Sequence, residues 1–174
     1  MLMSGYAAGP HDGSRSHMGG GSNYLCLPDK PQVRNHTKPG VEFGSLYGTE
    51  YHVHSARYPA GTRPYHGKPT PCAVCYVPQR SAQLMIPASN ECPVGWTREY
   101  NGYLMSTYSR LSDSRYYSSH HVTSYICVDS APKVATGAIK QNQALLYFVR
   151  VGCGTLPCSK FTEGFNVPCV VCTK

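Results

Sequence analysis

The stretch Pro168-Cys169-Val170-Val171-Cys172 decides the fold, because it places two cysteines on one short apolar strand. Nearly the same stretch, Pro71-Cys72-Ala73-Val74-Cys75, stands 97 residues earlier. Cys169 and Cys172 are an odd number of positions apart, so on an extended strand their side chains face opposite sides. One strand can therefore be cross-linked in two directions, to two different partners.

The repeated stretch belongs to a longer internal repeat. Further segments match in the same order, at offsets of 97 to 101 residues: Ser4-Gly5-Tyr6 with Asn101-Gly102-Tyr103, Asn23-Tyr24-Leu25-Cys26 with Ser124-Tyr125-Ile126-Cys127, and Leu46-Tyr47 with Leu146-Tyr147. Drifting offsets are typical of a tandem duplication with loop insertions. The sequence predicts a first copy over 1–78, a bridge over 79–89 and a second, complete copy over 90–174. The first copy is clipped in this interpretation, since the counterpart of Cys92 would lie upstream of Met1.

Composition predicts an all-β fold. The 174 residues include 17 glycines, 14 prolines and 14 tyrosines, and no run of a dozen residues has the helical apolar period. We expect a duplicated, disulfide-rich β subdomain whose two halves interlock with pseudo-two-fold symmetry, because pairing with each other would cover their exposed edge strands. Strands are predicted over 23–27, 45–53, 82–86, 97–105, 123–129, 144–151 and 167–173.

Cysteine usage predicts a secreted protein. Nine cysteines in a chain of this length are typical of compartments where disulfides persist. Asn35 begins an Asn-His-Thr glycosylation sequon, so we expect a glycoprotein. No signal peptide is evident in this chain. No apolar run approaches the roughly 20 residues that a membrane span needs, so no membrane span is predicted.

The charge of the chain favours solubility over a nucleic-acid partner. Sixteen basic and nine acidic residues give a net charge of +7, but the basic residues are scattered and form no block. General surface charge is the preferred interpretation, and binding to acidic glycans is the alternative. No nucleic-acid recognition motif is present, and a disulfide-rich chain is an unusual host for one.

The sequence predicts no catalytic residue, no cofactor site and no metal site. Four thiolates in two Cys-x-x-Cys pairs can bind zinc, but the 97-residue gap between them and their apolar surroundings favour disulfides. His52 and His54 alternate along a predicted strand and would share a face able to chelate a metal. Surface histidines without a ligand are the preferred interpretation there. Serine-nucleophile, zinc-protease and phosphate-loop motifs are absent from the sequence.

A loop rich in serine, tyrosine, arginine and histidine over 106–121 is the candidate ligand surface. Tyrosine rings can stack on sugars or on a partner protein, and ordinary core or rim positions explain them about as well. The residues of this candidate surface are Tyr108, Tyr116, Tyr117, His120 and His121.

Several motifs together resemble one family. They are Gly19-Gly-Gly-Ser-Asn-Tyr-Leu-Cys-Leu-Pro28, Leu46-Tyr-Gly-Thr-Glu-Tyr51, Pro71-Cys-Ala-Val-Cys75, Leu84-Met-Ile-Pro87, Cys92-Pro-Val-Gly-Trp96 and Cys153-Gly-Thr-Leu-Pro-Cys158. In combination they resemble the carboxy-terminal noncollagenous domain of type IV collagen, and more closely that of the spongin-like short-chain collagens. The resemblance covers nearly the whole chain.

The resemblance implies a disulfide pattern that spacing alone leaves open, because six cysteines already allow 15 pairings. The implied bridges are Cys92–Cys172, Cys127–Cys169, Cys153–Cys158 and Cys26–Cys72. Cys75 then has no partner, so we expect it to be a free thiol or to form an intermolecular bridge.

The resemblance also implies a function: an extracellular-matrix structural module, non-enzymatic, that associates with itself or with other matrix chains. No Gly-x-y tract occurs in the sequence, so this chain cannot itself form a collagen triple helix. A secreted lectin-like protein that binds a glycan or a protein is the alternative. A secreted enzyme on the same fold is a third hypothesis, since one fold hosts unrelated functions.

Overall fold

The computed structural model describes residues 1–10, 21–32, 44, 46–54, 58–107, 123–136, 144–152 and 154–174. Within these ranges the protein is all-β, as predicted. One short 3₁₀ turn, Arg63–Tyr65, accompanies nine strands: β1 Met3–Gly9, β2 Leu25–Pro28, β3 Tyr47–Tyr51, β4 Pro71–Val74, β5 Gln83–Pro87, β6 Thr97–Ser106, β7 Ile126–Asp129, β8 Ala144–Phe148 and β9 Pro168–Thr173. No helix in the described ranges has the length and apolarity that crossing a membrane requires.

The described strands form one sheet that curls into a half-barrel. Its order is β2-β1-β3-β8-β6-β9-β5, with β4 paired to β1 and β7 paired to β6. The β3–β8 pair is parallel, and every other pair among these strands is antiparallel. The parallel pair joins the amino-terminal group of strands to the carboxy-terminal group.

The two groups of strands use the same register. In the amino-terminal group, β1 pairs with β2, β3 and β4. In the carboxy-terminal group, β6 pairs with β7, β8 and β9. Equivalent pairs are Ala7–Cys26 with Leu104–Cys127, Gly5–Cys72 with Gly102–Cys169, and Ala8–Gly48 with Met105–Phe148. This agreement is what a duplication would produce, and the duplication and its boundaries stay an interpretation.

Glycine is required at one equivalent position in each group. A Cβ on Gly5 would lie 1.6 Å from the Leu27 carbonyl oxygen, and a Cβ on Gly102 would lie 1.8 Å from the Val128 carbonyl oxygen. No side chain fits at such a distance, because the neighbouring strand backbone occupies the space. The shared glycine of the repeat therefore lets β2 and β7 approach their partners closely.

The core lies where the two groups meet. We call the β3–β8 pair the parallel joint; in it Thr49 pairs with Ala144 and Tyr51 pairs with Leu146. Tyr51, Leu146, Val53 and Met105 form the buried cluster, to which both groups contribute. The two halves therefore interlock around one core, as expected from the need to cover their edge strands.

Two strands, β1 and β4, were not predicted, and two others, β3 and β8, end earlier than predicted. β1 contains glycine, serine and alanine and no β-branched residue, and tertiary pairing with β2, β3 and β4 holds it extended. β4, Pro71–Val74, was not predicted as a strand, although it belongs to the repeated Pro-Cys-x-Val-Cys stretch. β3 stops at Tyr51, where the Gly67 N–H donates to the Tyr51 carbonyl oxygen at 2.8 Å and turns the pairing toward a loop segment.

Candidate functional site

Three of the four disulfides implied by the resemblance are present among the described residues. Their Cα–Cα distances of 5.7 to 5.9 Å are usual for a disulfide. The bridges are Cys26–Cys72, Cys92–Cys172 and Cys127–Cys169, which close sequence separations of 46, 80 and 42 residues. Because these sulfurs bond to each other, they are not thiolate ligands for zinc.

Strand β9 is cross-linked in two directions, as the spacing of its cysteines predicted. Cys169 is bonded to Cys127 on β7, and Cys172 is bonded to Cys92 ahead of β6. Both β9 cysteines are fully buried. The disulfides therefore fix β9 to two segments of the carboxy-terminal group, one on each face.

Cys75 carries a free and exposed thiol. It follows β4 directly, at the position that corresponds to Cys172 of β9 in the repeat. Cys158 is disulfide-bonded, and its predicted partner Cys153 lies outside the described residues. The structure thus agrees with the expectation of an unpaired thiol at Cys75, and an intermolecular bridge there stays a prediction.

The outer edge of β4 is uncovered among the described residues. The Ala7 N–H donates to the Thr70 carbonyl oxygen, and hydrogen-bonded pairs alternate along an antiparallel ladder. The register therefore directs the N–H and C=O of Ala73 away from β1. The equivalent residue of β9, Val170, directs the same groups toward Ile86 of β5. In the part of the chain that is described, β4 has no strand in the place that β5 takes beside β9.

Three histidines meet at one side of the parallel joint. His52 and His54 follow β3, and His66 directly follows the 3₁₀ turn. Their ring centroids lie 4.6 Å apart for His52 and His54, 4.9 Å for His52 and His66, and 5.4 Å for His54 and His66. One ring nitrogen from each lies within 4.8 Å of the other two. We call this group the histidine cluster.

Two backbone hydrogen bonds and one bond to an imidazole hold the histidine cluster together. The His52 N–H donates to the Leu146 carbonyl oxygen at 2.9 Å, and the His66 N–H donates to the Arg63 carbonyl oxygen at 3.2 Å. The Val53 N–H donates to His66 Nδ1 at 3.3 Å. The segment after β3 and the segment after the 3₁₀ turn are thereby held side by side.

His52 is the most perturbed member of the histidine cluster. Its pKa is lowered to about 4, mainly by burial and also by the neighbouring His54 and His66. The ring also packs against Tyr147, with centroids 4.6 Å apart. His52 Nδ1 is buried, with no hydrogen-bond partner among the described residues. At neutral pH the imidazole is therefore uncharged.

The sequence indicated only part of the histidine cluster. His52 and His54 were expected on one face of a strand; instead β3 ends at Tyr51, and both lie on the segment beyond it. His66 was not singled out, because it stands on a proline- and glycine-punctuated loop with no periodicity. The sequence signal for the whole cluster is the crowding of three histidines within a short stretch.

A small cavity lies in the core next to the joint. Its volume is about 20 Å³, and its lining includes Tyr51, Val53, Tyr65, Tyr103, Met105 and Phe148. A cavity of this size holds about one water molecule. It is therefore a packing feature of the core.

The predicted ligand surface and the glycosylation site lie outside the described residues. The residues concerned are Asn35, Tyr108, Tyr116, Tyr117, His120 and His121. Nothing in the described part of the chain bears on them, so a ligand surface and a glycan stay predictions.

No protein-family model matches this chain, and no solved structure matches it. The resemblance to collagen noncollagenous domains thus remains an expectation based on the motif residues. The features of the structure that bear on function are the disulfide framework, the uncovered β4 edge and the histidine cluster.

Proposed function

We propose that this chain is a non-enzymatic extracellular-matrix module that associates with further copies of itself or with related matrix chains. The three disulfides support an oxidising compartment, because cytosolic thiols are normally kept reduced. The motif resemblance implies the same role, since the noncollagenous domain drives chain association in the collagens that carry it.

The single observation that carries the proposal is the uncovered edge of β4. An exposed strand edge offers a row of unpaired N–H and C=O groups to a strand of another chain. The outward groups of Ala73 are the central pair of that row. Val74 is 38% exposed and adds an apolar contact beside them. The edge is therefore suited to accept one more antiparallel strand.

The arrangement of β5 beside β9 indicates what kind of strand fits. β5 is a five-residue segment, Gln83–Pro87, with an apolar centre, and it pairs with β9 over its whole length. A similar strand from a second chain would occupy the equivalent place beside β4. The free thiol of Cys75 lies one residue beyond that edge, where it would form a disulfide with a cysteine of the second chain.

The substitution Ala73→Pro tests this association. Proline removes the outward N–H at position 73 without touching the hydrogen bonds that join β4 to β1. Sedimentation velocity over a range of concentrations, with Cys75 alkylated, should show the native chain assembling above its monomer mass of 19.1 kDa. The variant should assemble at least about tenfold more weakly, as expected for a loss of about 1.4 kcal/mol.

The matched control is Ala73→Ser, which keeps the N–H and should assemble like the native chain. Disulfide mapping of each variant verifies that the fold is retained. A native chain that stays at 19.1 kDa at every concentration contradicts self-association. Equal assembly of the proline and serine variants would place the contact elsewhere than at the β4 edge.

A further inference from the structure

We infer that the histidine cluster binds one divalent transition-metal ion of the zinc and copper class. The ligands would be one ring nitrogen each from His52, His54 and His66. This inference rests on side chains beyond the end of β3 and is independent of the β4 edge and of the association proposed above.

The spacing of the ligand atoms is close to what a metal needs. Zinc–nitrogen bonds of about 2.0 to 2.1 Å in a tetrahedral site place two nitrogens roughly 3.3 Å apart. The three nitrogens of the cluster already lie within 4.8 Å of one another. His54 and His66 are exposed, so rotations of their side chains supply the remaining approach while the backbone stays in place.

The backbone holds the three imidazoles together without the metal. His52 is tied to β8 through the Leu146 carbonyl oxygen. Gly67, the residue after His66, donates its N–H to the Tyr51 carbonyl oxygen at 2.8 Å. The two segments that carry the ligands are therefore anchored to the same end of β3, which reduces the entropy lost when a metal binds.

The state of His52 also suits a ligand. A buried ring nitrogen without a hydrogen-bond partner is costly, as at His52 Nδ1. A metal ion would bind this nitrogen directly, or would bind the other ring nitrogen and let the ring rotate until Nδ1 reaches solvent.

One interaction competes with the metal. His66 Nδ1 accepts the Val53 N–H at 3.3 Å, so its Nε2 carries the proton when the ring is neutral. Ligation through either nitrogen of His66 replaces that long hydrogen bond. His54 has no such conflict with the backbone in the contacts described above. We therefore expect His66 to reorient on binding more than His52 does.

The donor set selects the class of metal. Imidazole nitrogen suits zinc, copper and nickel, whereas calcium and magnesium require oxygen ligands. The described residues supply three nitrogens and no carboxylate to this site. A fourth position is then left for water or for a group of a binding partner, as in other three-histidine zinc sites.

Zinc titration of matched variants tests the inference. The full chain, free of any affinity tag, is treated with EDTA and its Cys75 thiol is alkylated, because a thiolate also binds zinc. Calorimetry with Zn²⁺ should show one ion bound per chain. His54→Gln with His66→Gln should weaken that binding by more than about 100-fold, since even a second-shell loss costs about 10- to 100-fold. Both residues are exposed, so this variant should fold.

The control carries His120→Gln and His121→Gln, which removes two histidines of the predicted ligand loop and should leave zinc affinity unchanged. In the native chain, proton NMR signals of three imidazoles should shift with Zn²⁺, and Ca²⁺ should shift none. Zinc binding that survives in the His54/His66 variant, or that is lost in the His120/His121 variant, overturns the inference. So does a native chain that binds no zinc.

Discussion

At the scale of the residue, His52 shows how the fold changes the chemistry of one side chain. The chain has eight histidines, and in the sequence only the alternation with His54 sets His52 apart. Packing against Tyr147 and against two other imidazoles makes its charged form costly, because burial removes water and the neighbours repel a second positive charge. Tyr147 is far from His52 in the sequence, and the approach of His66 to His52 depends on the fold, so no local pattern indicates this burial.

We predict that His52 makes the fold less stable in acid. Its pKa is about 4 in the folded chain, below its ordinary value of 6.5, so between these values the unfolded chain binds the proton and the folded chain does not. The His52 contribution is therefore lost as pH falls from 6.5 toward 4. Urea unfolding of the native chain and of His52→Gln should show a stability difference that changes between pH 6.5 and pH 4.5.

The control for this prediction is the range from pH 8 to pH 9, where His52 is almost entirely neutral in both states. There the difference between the two proteins should not depend on pH. Carboxylates titrate at the acid end in both proteins, so they cancel in the comparison. A constant difference across the whole range would show that His52 titrates normally.

At the scale of the element, β9 is the strand that the sequence describes best. Its two cysteines, its apolar residues and its match with the earlier stretch 71–75 predicted a strand over 167–173, and the strand is Pro168–Thr173. β1 was missed because Gly5, Ala7 and Ala8 have low strand propensity, whereas its equivalent β6 was predicted. The repeat itself linked Gly5 to a residue inside a predicted strand, and this was the available signal.

We predict that the bridge between β7 and β9 supplies much of the stability of the fold. The Cys127–Cys169 disulfide closes a separation of 42 residues. In the chain-entropy model such a bridge stabilises by about 4 kcal/mol. The double substitution Cys127→Ala and Cys169→Ala should therefore lower the free energy of unfolding by about 4 kcal/mol, measured by urea unfolding at pH 7.

Cys75→Ala is the matched control, because it removes a cysteine without removing a bridge. Its free energy of unfolding should stay within about 0.5 kcal/mol of the native value, as for other surface substitutions. If the double variant is as stable as this control, the bridge does not constrain the unfolded chain and the entropy argument fails.

At the scale of the whole molecule, the parallel joint between β3 and β8 is what makes two groups of strands one fold. The sequence predicted interlocked halves, because each half alone would expose strand edges. The sequence did not predict which strands would pair, since no sequence pattern indicates that Tyr51 lies beside Leu146. The meeting of His66 with His52 and His54 was missed for the same reason, as it depends on where β3 ends against β8.

We predict that the joint makes unfolding cooperative across both groups. Leu146 is fully buried in the shared core, so Leu146→Ala should cost about 2 to 5 kcal/mol. Hydrogen exchange read by mass spectrometry should show the same loss of protection in peptides from β1 and from β6. The control Leu156→Ala changes a residue that is 45% exposed and should cost no more than about 0.5 kcal/mol.

Loss of protection confined to β6 would contradict a shared core. The amino-terminal group would then be stable on its own, with the joint as a surface contact. Equal loss in both groups would instead confirm that neither group is an independent folding unit.

The joint also has a consequence for how the chain is made on the ribosome. Cys26 can meet Cys72 early. The edge of β3 that faces β8 has no partner until about 95 residues have been added after Tyr51, because Tyr51 pairs with Leu146. At the usual rate of translation this interval lasts roughly 5 to 20 s. During that time an exposed strand edge and the newly made Cys75 thiol are both available to neighbouring chains. We expect nascent chains to depend on chaperones during that interval, long before the mature surface is complete.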